Sequence, residues 1–413
     1  MERQTDRLVE SIFDRLKTKD QKSRLIPSLF HSSSGTKTVA PPEPQVPFKP
    51  SGRRFHLGLD IGSATFRWVQ LGLVRQRIEI MEIGQQPLES GAILPEAERK
   101  NFLRDQLRQM VSTRALGGAA VLSLPVEVAT LRVLKMPVLP EGEMEQAVRW
   151  QIEQTLPPQI SYDDLAVDFL SLGEMGTLQE NRVLISSVPR RRVLELVELV
   201  QSAGLQPIAV ELDSFSVMTV LKAQRRIPEG QTVLLLDLGA ASSSFSVISK
   251  GGLSFSRAIL TTGRSLTRSI AERLRISADQ AEILKRTHGM TGHPELNVAP
   301  QGAAGESLSV AQALASTLEN LVMDALHSFK DFSHQITQSQ IQRFDRLYLS
   351  GGTALLPGLA PWLERRLGAP VEILNPSGIL PVAKSASVPP SWEEAAVRFS
   401  VAMGLALREV PLP

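Results

Sequence analysis

The chain has 413 residues, 42% apolar and 21% charged, which is enough to bury two or three domain cores. Its 45 basic and 43 acidic side chains leave a formal charge of +2, too weak a field to argue for a nucleic-acid partner. The absence of cysteine excludes disulfides, thiolate metal sites and cysteine nucleophiles, and is compatible with a reducing compartment, by default the cytoplasm.

At the N-terminus Leu8, Val9, Ile12, Phe13 and Leu16 recur at helical spacing with charges between them, which predicts a short amphipathic helix. No signal-peptide centre is present there, and no stretch of the chain approaches the ~20 apolar residues of a spanning helix. A Ser/Pro-rich run ending TVAPPEPQVPFKPSG follows and reads as a disordered, extended linker, so residues 1–52 lie outside the expected folded body. FHLGLDIGSATFRWVQLGL and RQRIEIMEIG then read as strands around a tight glycine turn, followed by a helix from Glu96 to Met110. AAVLSLP and ATLRVLKMP are predicted strands, and EGEMEQAVRWQIEQTLP a helix stopped by Pro157 and Pro158. Next come strands in DLAVDFLSLG and NRVLISSVP, a helix in RRRVLELVELVQSAG closed by Gly204, the strand QPIAVEL and a helix from Ser214.

The second half opens with TVLLLDLGAASSSFSVISKGGLSFSRAIL, strands separated by glycine turns. Helices in SLTRSIAERL and SADQAEILKRT follow, the second capped by Ser277. A Gly/Pro-rich loop covers 289–305, and a long helix runs from Ser309 to Ile336. RLYLSGG is a strand, PGLAPWLERRLG a helix and PVEILNP a strand, so strands and helices alternate in both halves, as in an α/β protein.

LGLDIGSATFRWV aligned with LLLDLGAASSSFSV sets Asp60 on Asp237 and Gly62 on Gly239, a repeat at a spacing of 177 residues. Two related lobes facing each other would bring both turns to one cleft. Glycine lets backbone N–H groups approach a phosphate, and the hydroxyls of Ser63, Thr65, Ser242 and Ser243 can add donors. An aspartate beside phosphate repels it, so Asp60 and Asp237 fit the holding of a hydrated Mg²⁺. Taken singly, each motif is also an ordinary Asp-Gly hairpin. In YLSGGTALLPGL, Gly351 and Gly352 sit between a strand and a helix, where missing side chains would admit a flat base.

These three elements in this order resemble the two phosphate loops and the adenosine loop of the actin, sugar kinase and heat-shock chaperone superfamily. Within it, LKMPVLPEGEMEQAVRWQIEQTLP, GRSLTRSIAERLRISADQAEILKR, LSGGTALLPGLAPWLERRLGAPVEILNP and FSVAMGLALREV resemble the PilM family of type IV pilus assembly proteins. The resemblance implies an α/β, actin-like fold: a duplicated ribonuclease H-like unit in two lobes, with a small α/β subdomain inserted as in FtsA. The expected divisions are 53–128 with 190–230 for the first lobe, 129–189 for the insert and 231–413 for the second lobe.

The resemblance further implies ATP or ADP with Mg²⁺ as ligands. Asp60, Gly62 and Ser63 match the first phosphate loop, Asp237, Gly239 and Ala240 the second, and Ser350, Gly351 and Gly352 the adenosine loop. Arg67 stands where the family usually has lysine, which makes fast hydrolysis unexpected. Glu282 and Lys285 fall where relatives contact ribose and base, although a Glu and a Lys three apart on a helix also read as a solvated pair. Asp213 falls where relatives orient water, and reads equally as the cap of the helix it precedes.

The implied role is a cytoplasmic, ATP-binding component of the pilus inner-membrane platform, with at most weak ATPase activity. It would bind the N-terminal cytoplasmic peptide of a PilN-like bitopic protein and reach the membrane through it. The Leu8–Leu16 helix is a candidate contact for the membrane surface or a pilus assembly ATPase; the alternative is a solvated tail, since one short helix binds lipid weakly. A small-molecule kinase would need an Asp base beside a polyol pocket, and no polar cluster near Asp213 suggests one. An FtsA-like filament protein would end in an amphipathic membrane helix, and a type II secretion platform protein would carry a transmembrane helix and eroded loops.

Overall fold

In the computed structural model the described residues are 54–408, apart from 76, 89–95, 115, 176–179, 229, 297–303 and 335–342. The predicted N-terminal helix and linker therefore lie outside the described residues.

The first lobe begins with a meander of β1 (Arg54–Ile61), β2 (Thr65–Val74) and β3 (Arg77–Pro87). Helix α1 (Glu96–Arg114) runs a turn past the predicted end at Met110 and leads to β4 (Ala119–Leu124), which pairs parallel to β1. The chain then leaves the sheet for β5 (Thr130–Pro137), α2 (Glu141–Glu153), β6 (Leu165–Met175) and β7 (Glu180–Pro189). These strands form a separate antiparallel sheet in the order β5-β7-β6. Met144, Val148 and Ile152, one face of α2, pack on Met136, Val167, Val183 and Ile185 in a small core of their own. Helix α3 (Arg190–Ser202) and β8 (Gln206–Leu212) return to the first sheet, where β8 pairs parallel to β4.

After helix α4 (Asp213–Ala223) the pattern repeats with β9 (Thr232–Leu238), β10 (Ser243–Ser249) and β11 (Gly252–Ala258). Helices α5 (Gly263–Leu274), α6 (Ala278–His288) and α7 (Ala304–Phe332) precede β12 (Arg346–Ser350), α8 (Leu359–Leu367) and β13 (Val371–Ile373). The second sheet has the order β11-β10-β9-β12-β13, and the first contains β3-β2-β1-β4-β8. Each is a three-stranded meander extended by two parallel strands, so the repeat seen in two loops is a repeat of topology.

Strand β9 is buried along its whole length because both of its faces are covered. Val233 and Leu235 join the first-lobe core, while Leu234, Leu236 and Leu238 join the second. Helix α4, buried from Ser214 to Leu221, fills the space between.

One expected boundary is corrected. The sequence reading put everything from 231 to 413 in the second lobe, but β14 (Val382–Ser387) pairs with β3 at the edge of the first sheet. After the short helix α9 (Trp392–Ala395), α10 (Ser400–Ala406) packs on β1 and α4. All seven residues of α10 are buried, and an apolar run of that kind does not state which lobe it will enter. The long helix also starts earlier than predicted, at Ala304.

Candidate functional site

A cleft of about 700 Å³ separates the lobes, and the residues named for the three loops, Asp213, Glu282 and Lys285 all line it, whereas Ser243, expected as a further hydroxyl donor, does not. Asp60, Gly62, Ser63 and Arg67 come from the first hairpin, Asp213 from the start of α4, and Asp237, Gly239 and Ala240 from the second hairpin. Glu282 and Lys285 enter from α6, and Ser350, Gly351 and Gly352 follow β12.

The two hairpin glycines are required for one physical reason. A Cβ on Gly62 would stand 2.8 Å from the Thr65 carbonyl, and one on Gly239 would stand 2.4 Å from the Ser242 carbonyl. Both turns thus fold back on the carbonyl three residues ahead. The second is closed by the Gly239 N–H donating to Ser242 O at 3.0 Å. Its outer side is held by α5, whose first-turn N–H groups of Gly263 and Arg264 donate to the carbonyls of Gly239 and Ala240. Gly351 has φ +83° and a Cβ there would meet the Leu238 carbonyl at 2.5 Å, whereas Gly352 faces open space.

Three carboxylates face one another across the cleft. Burial raises Asp60, and the attraction of Arg67, 3.6 Å away, offsets part of that. Burial also raises Asp237, to about 6; negative Asp60 adds to this, and the nearby Ser350 hydroxyl and Arg67 oppose it. Asp213 is pushed well above the usual carboxylate range, first by burial and then by the charge of Asp237. Its Oδ1 accepts the N–H of Ser214 at 2.7 Å. The helix starts at Asp213 itself with Leu212 as the flanking residue, so Asp213 is not its N-cap.

Glu282 and Lys285 are bound into the protein and are not a loose surface pair. Lys285 Nζ donates to Gly263 O at 3.0 Å, to Thr267 Oγ1 at 2.8 Å and to Glu282 Oε2, which matches its three donors with three acceptors. Burial lowers Lys285, and Glu282 offsets part of this. Burial pushes Glu282 up, but Lys285, Thr267 and Arg286 together hold it below the usual value. The pair ties α6 to α5 at the wall of the cleft.

The sequence reading missed several lining residues because they lie outside the glycine loops. Arg264 reaches across the lobes, donating from Nη2 to the Ser63 carbonyl at 3.4 Å. Arg398 arrives from the C-terminal segment, where burial lowers it and positive Arg67 and Arg286 add to the shift. Glu127, just after β4, also lines the cleft. Nothing in the local sequence at these positions marks them. Among the described residues no group of three or more His, Asp or Glu is arranged to cage a metal.

The family model described as type IV pilus assembly protein PilM matches residues 58–410. The chain belongs to the PilM family. A solved PilM-PilN type IV pilus biogenesis complex is similar to it with a TM-score of 0.68 at 25% identity, covering 86% of this chain and 98% of that one. The cell division protein FtsA of Bacillus subtilis is 21% identical over 358 residues, 80% of each chain. FtsA of Streptococcus pneumoniae is 26% identical over 212 residues, 50% of this chain and only 46% of that protein's length. The fold of this PilM-family chain is actin-like, with the two duplicated sheets and the cleft between them, and it carries the three-stranded insert. Among the described residues no helix is long and apolar enough to cross a membrane.

Proposed function

We propose that the cleft binds a nucleoside triphosphate, ATP, with Mg²⁺, and that the chain serves the type IV pilus inner-membrane platform as a nucleotide-responsive adaptor. The observation that carries this reading is the convergence of two glycine hairpins and a Gly-Gly loop on one cleft in a PilM-family chain. N–H groups and hydroxyls of the hairpins suit phosphate oxygens, and the open side of Gly352 suits a flat base. The donor set also fits a hard cation: the Asp237 carboxylate is buried at the cleft with the Ser350 hydroxyl beside it. When bound, Mg²⁺ would screen the phosphates from Asp60 and Asp237. Arg67 in place of a point-charge ammonium favours slow hydrolysis, with nucleotide acting as a conformational ligand for lobe closure. Mg-ATP at ~100 times its Kd is expected to stabilise the fold by about 2.7 kcal/mol. Thermal melts with and without Mg-ATP check this, and an unmoved melting temperature overturns it.

The partner proposed is the N-terminal cytoplasmic peptide of a PilN-like bitopic protein, which would bring the chain to the inner membrane. A cavity of about 10 Å³, room for one water, marks the seam between the inserted sheet and the first lobe, lined by Asp168, Ser186 and Glu211 together with Leu184, Leu212 and Phe215. A peptide would dock on the surface beside this seam. Apolar anchors in preformed pockets and main-chain hydrogen bonds are the usual means of holding an extended peptide. Isothermal titration with the first twenty or so residues of such a protein is expected to show binding. A folded chain that binds the peptide in neither the nucleotide-free nor the ATP-loaded form removes the adaptor mechanism.

A further inference from the structure

Two sheets end at the same seam. Strand β8 is the last of the first sheet and β6 the last of the inserted sheet, so the outer edge of each carries no further strand among the described residues. Both edges contribute to the small cavity: Asp168, Phe169 and Leu170 from β6, and Glu211 and Leu212 from β8. On the face of β6 toward the first lobe the row runs Ala166, Asp168, Leu170 and Leu172, and the two leucines are only partly buried. An open edge of this kind is a template for another strand, and native proteins cover it.

The described chain enters this seam at Arg408. Helix α10 ends at Ala406, and Arg408, 5% exposed, is held by both its backbone and its side chain. Its carbonyl accepts from His56 Nδ1 at 3.2 Å, and its Nη1 lies 3.7 Å from Glu211 Oε2. Its charge also reaches Asp168 on the inserted sheet, where it opposes the effect of burial. The next residues, Glu409, Val410, Pro411, Leu412 and Pro413, therefore leave from between the two edges. Extended, they span at most about 17 Å, the length of an ordinary strand. In an extended chain the backbone groups of alternate residues point to the same side. Proline has no N–H, so Pro411 and Pro413 put both missing donors on one side, while Val410 and Leu412 keep theirs on the other. Such a segment can pair along one side only and leaves a blunt outer edge.

We propose that residues 409–413 lie as an edge strand along β6, with Val410 and Leu412 on the face of the partly buried Leu170 and Leu172, and cover the seam when no partner is bound. Arg408, buried where the segment begins, makes the pairing intramolecular, so that few contacts suffice. Pro411 and Pro413 then face solvent and end the sheet. The covered surface is the one proposed above for the partner peptide, and the chain's own segment is a tethered competitor that the peptide displaces. That competition rests on the adaptor reading; the seating of the segment does not.

The experiment is amide hydrogen exchange of the full chain, with no partner present, against a variant lacking residues 409–413. Removal is expected to speed exchange at the outer edge of β6 by about tenfold and to leave β9 unchanged. Two point variants separate strand pairing from general loosening. Val410→Pro removes an N–H on the pairing side and is expected to match the deletion, whereas Pro411→Ala returns one on the outer side and is expected to keep the protection. With the N-terminal peptide titrated above as probe, the deletion is expected to tighten binding several-fold. Equal exchange of β6 in the full chain and the deletion variant overturns the proposal. So does protection that grows with protein concentration, which places the segment on a second copy. Equal peptide affinity in the two overturns the competition. Peptide binding to neither, with the exchange difference intact, removes the adaptor reading and leaves the strand in place.

Discussion

Asp213→Asn is expected to raise the melting temperature of the nucleotide-free, metal-free protein at pH 8 and, on the function proposed above, to lower turnover of ATP. The reason lies in the shift of Asp213, which burial and the charge of Asp237 push well above the usual carboxylate range. A carboxyl with a raised pKa binds its proton more tightly in the folded than in the unfolded chain. Its contribution to stability is complete below the unfolded value of about 3.9 and is lost as pH rises through the folded value. Asparagine does not titrate, and its amide oxygen can still accept the Ser214 N–H that Asp213 Oδ1 accepts at 2.7 Å. The variant is therefore expected to gain about 1–2 kcal/mol at pH 8, the usual size for a strained functional position, with the difference closing near pH 4. If Asp213 orients or deprotonates the attacking water, turnover falls by about 10²–10⁴. Melts across the pH range, with a phosphate-release assay on the same samples, read both outcomes. A variant that is less stable at pH 8 and as active as the parent contradicts the role.

The second large effect is expected where the chain returns to the first lobe. A Cβ on Gly404 of α10 would lie 1.9 Å from the Ser216 carbonyl of α4, and one on Gly58 of β1 would lie 2.0 Å from the Ala402 carbonyl. In both cases the obstacle is backbone, which cannot swing aside as a flexible side chain can. Overpacking of a filled core costs about 1–3 kcal/mol, and a clash with main chain belongs at or above the upper end. Gly404→Ala is accordingly expected to destabilise the body by about 3 kcal/mol or more, read by denaturant unfolding as a lower midpoint. The same substitution at Gly252, whose Cβ would meet nothing within 4 Å, is expected to leave the midpoint nearly unchanged. Equal midpoints for the two variants would show that α10 is not welded to α4 in solution.

The elements with a strong period were legible. The buried run TVLLLDL, the alternation around Lys250-Gly251-Gly252 and the Ser277 cap, which accepts the Gln280 N–H, all appear where the pattern puts them. Elements with no distinctive period escaped: β14 pairs with β3 through only a few residues and its burial alternates weakly.

For the candidate site, residue type and order sufficed to single out three loops that line the cleft, because both hairpin glycines meet a carbonyl three residues ahead and Gly351 takes a positive φ, and such local geometry is written in neighbouring residues. Tertiary structure decided what those loops face. Arg67 comes to Asp60 because the β1/β2 register sets them opposite, and Lys285 reaches Thr267 and Gly263 because α6 packs on α5. Arg264 reaches Ser63 across the cleft, and Arg398 enters from a segment that crosses back between lobes. Apart from the hairpin pair Asp60 and Arg67, such partners are set by packing between residues distant in the chain, where the free energy lies in shape and burial, and neither leaves a short-range signature in the order of amino acids.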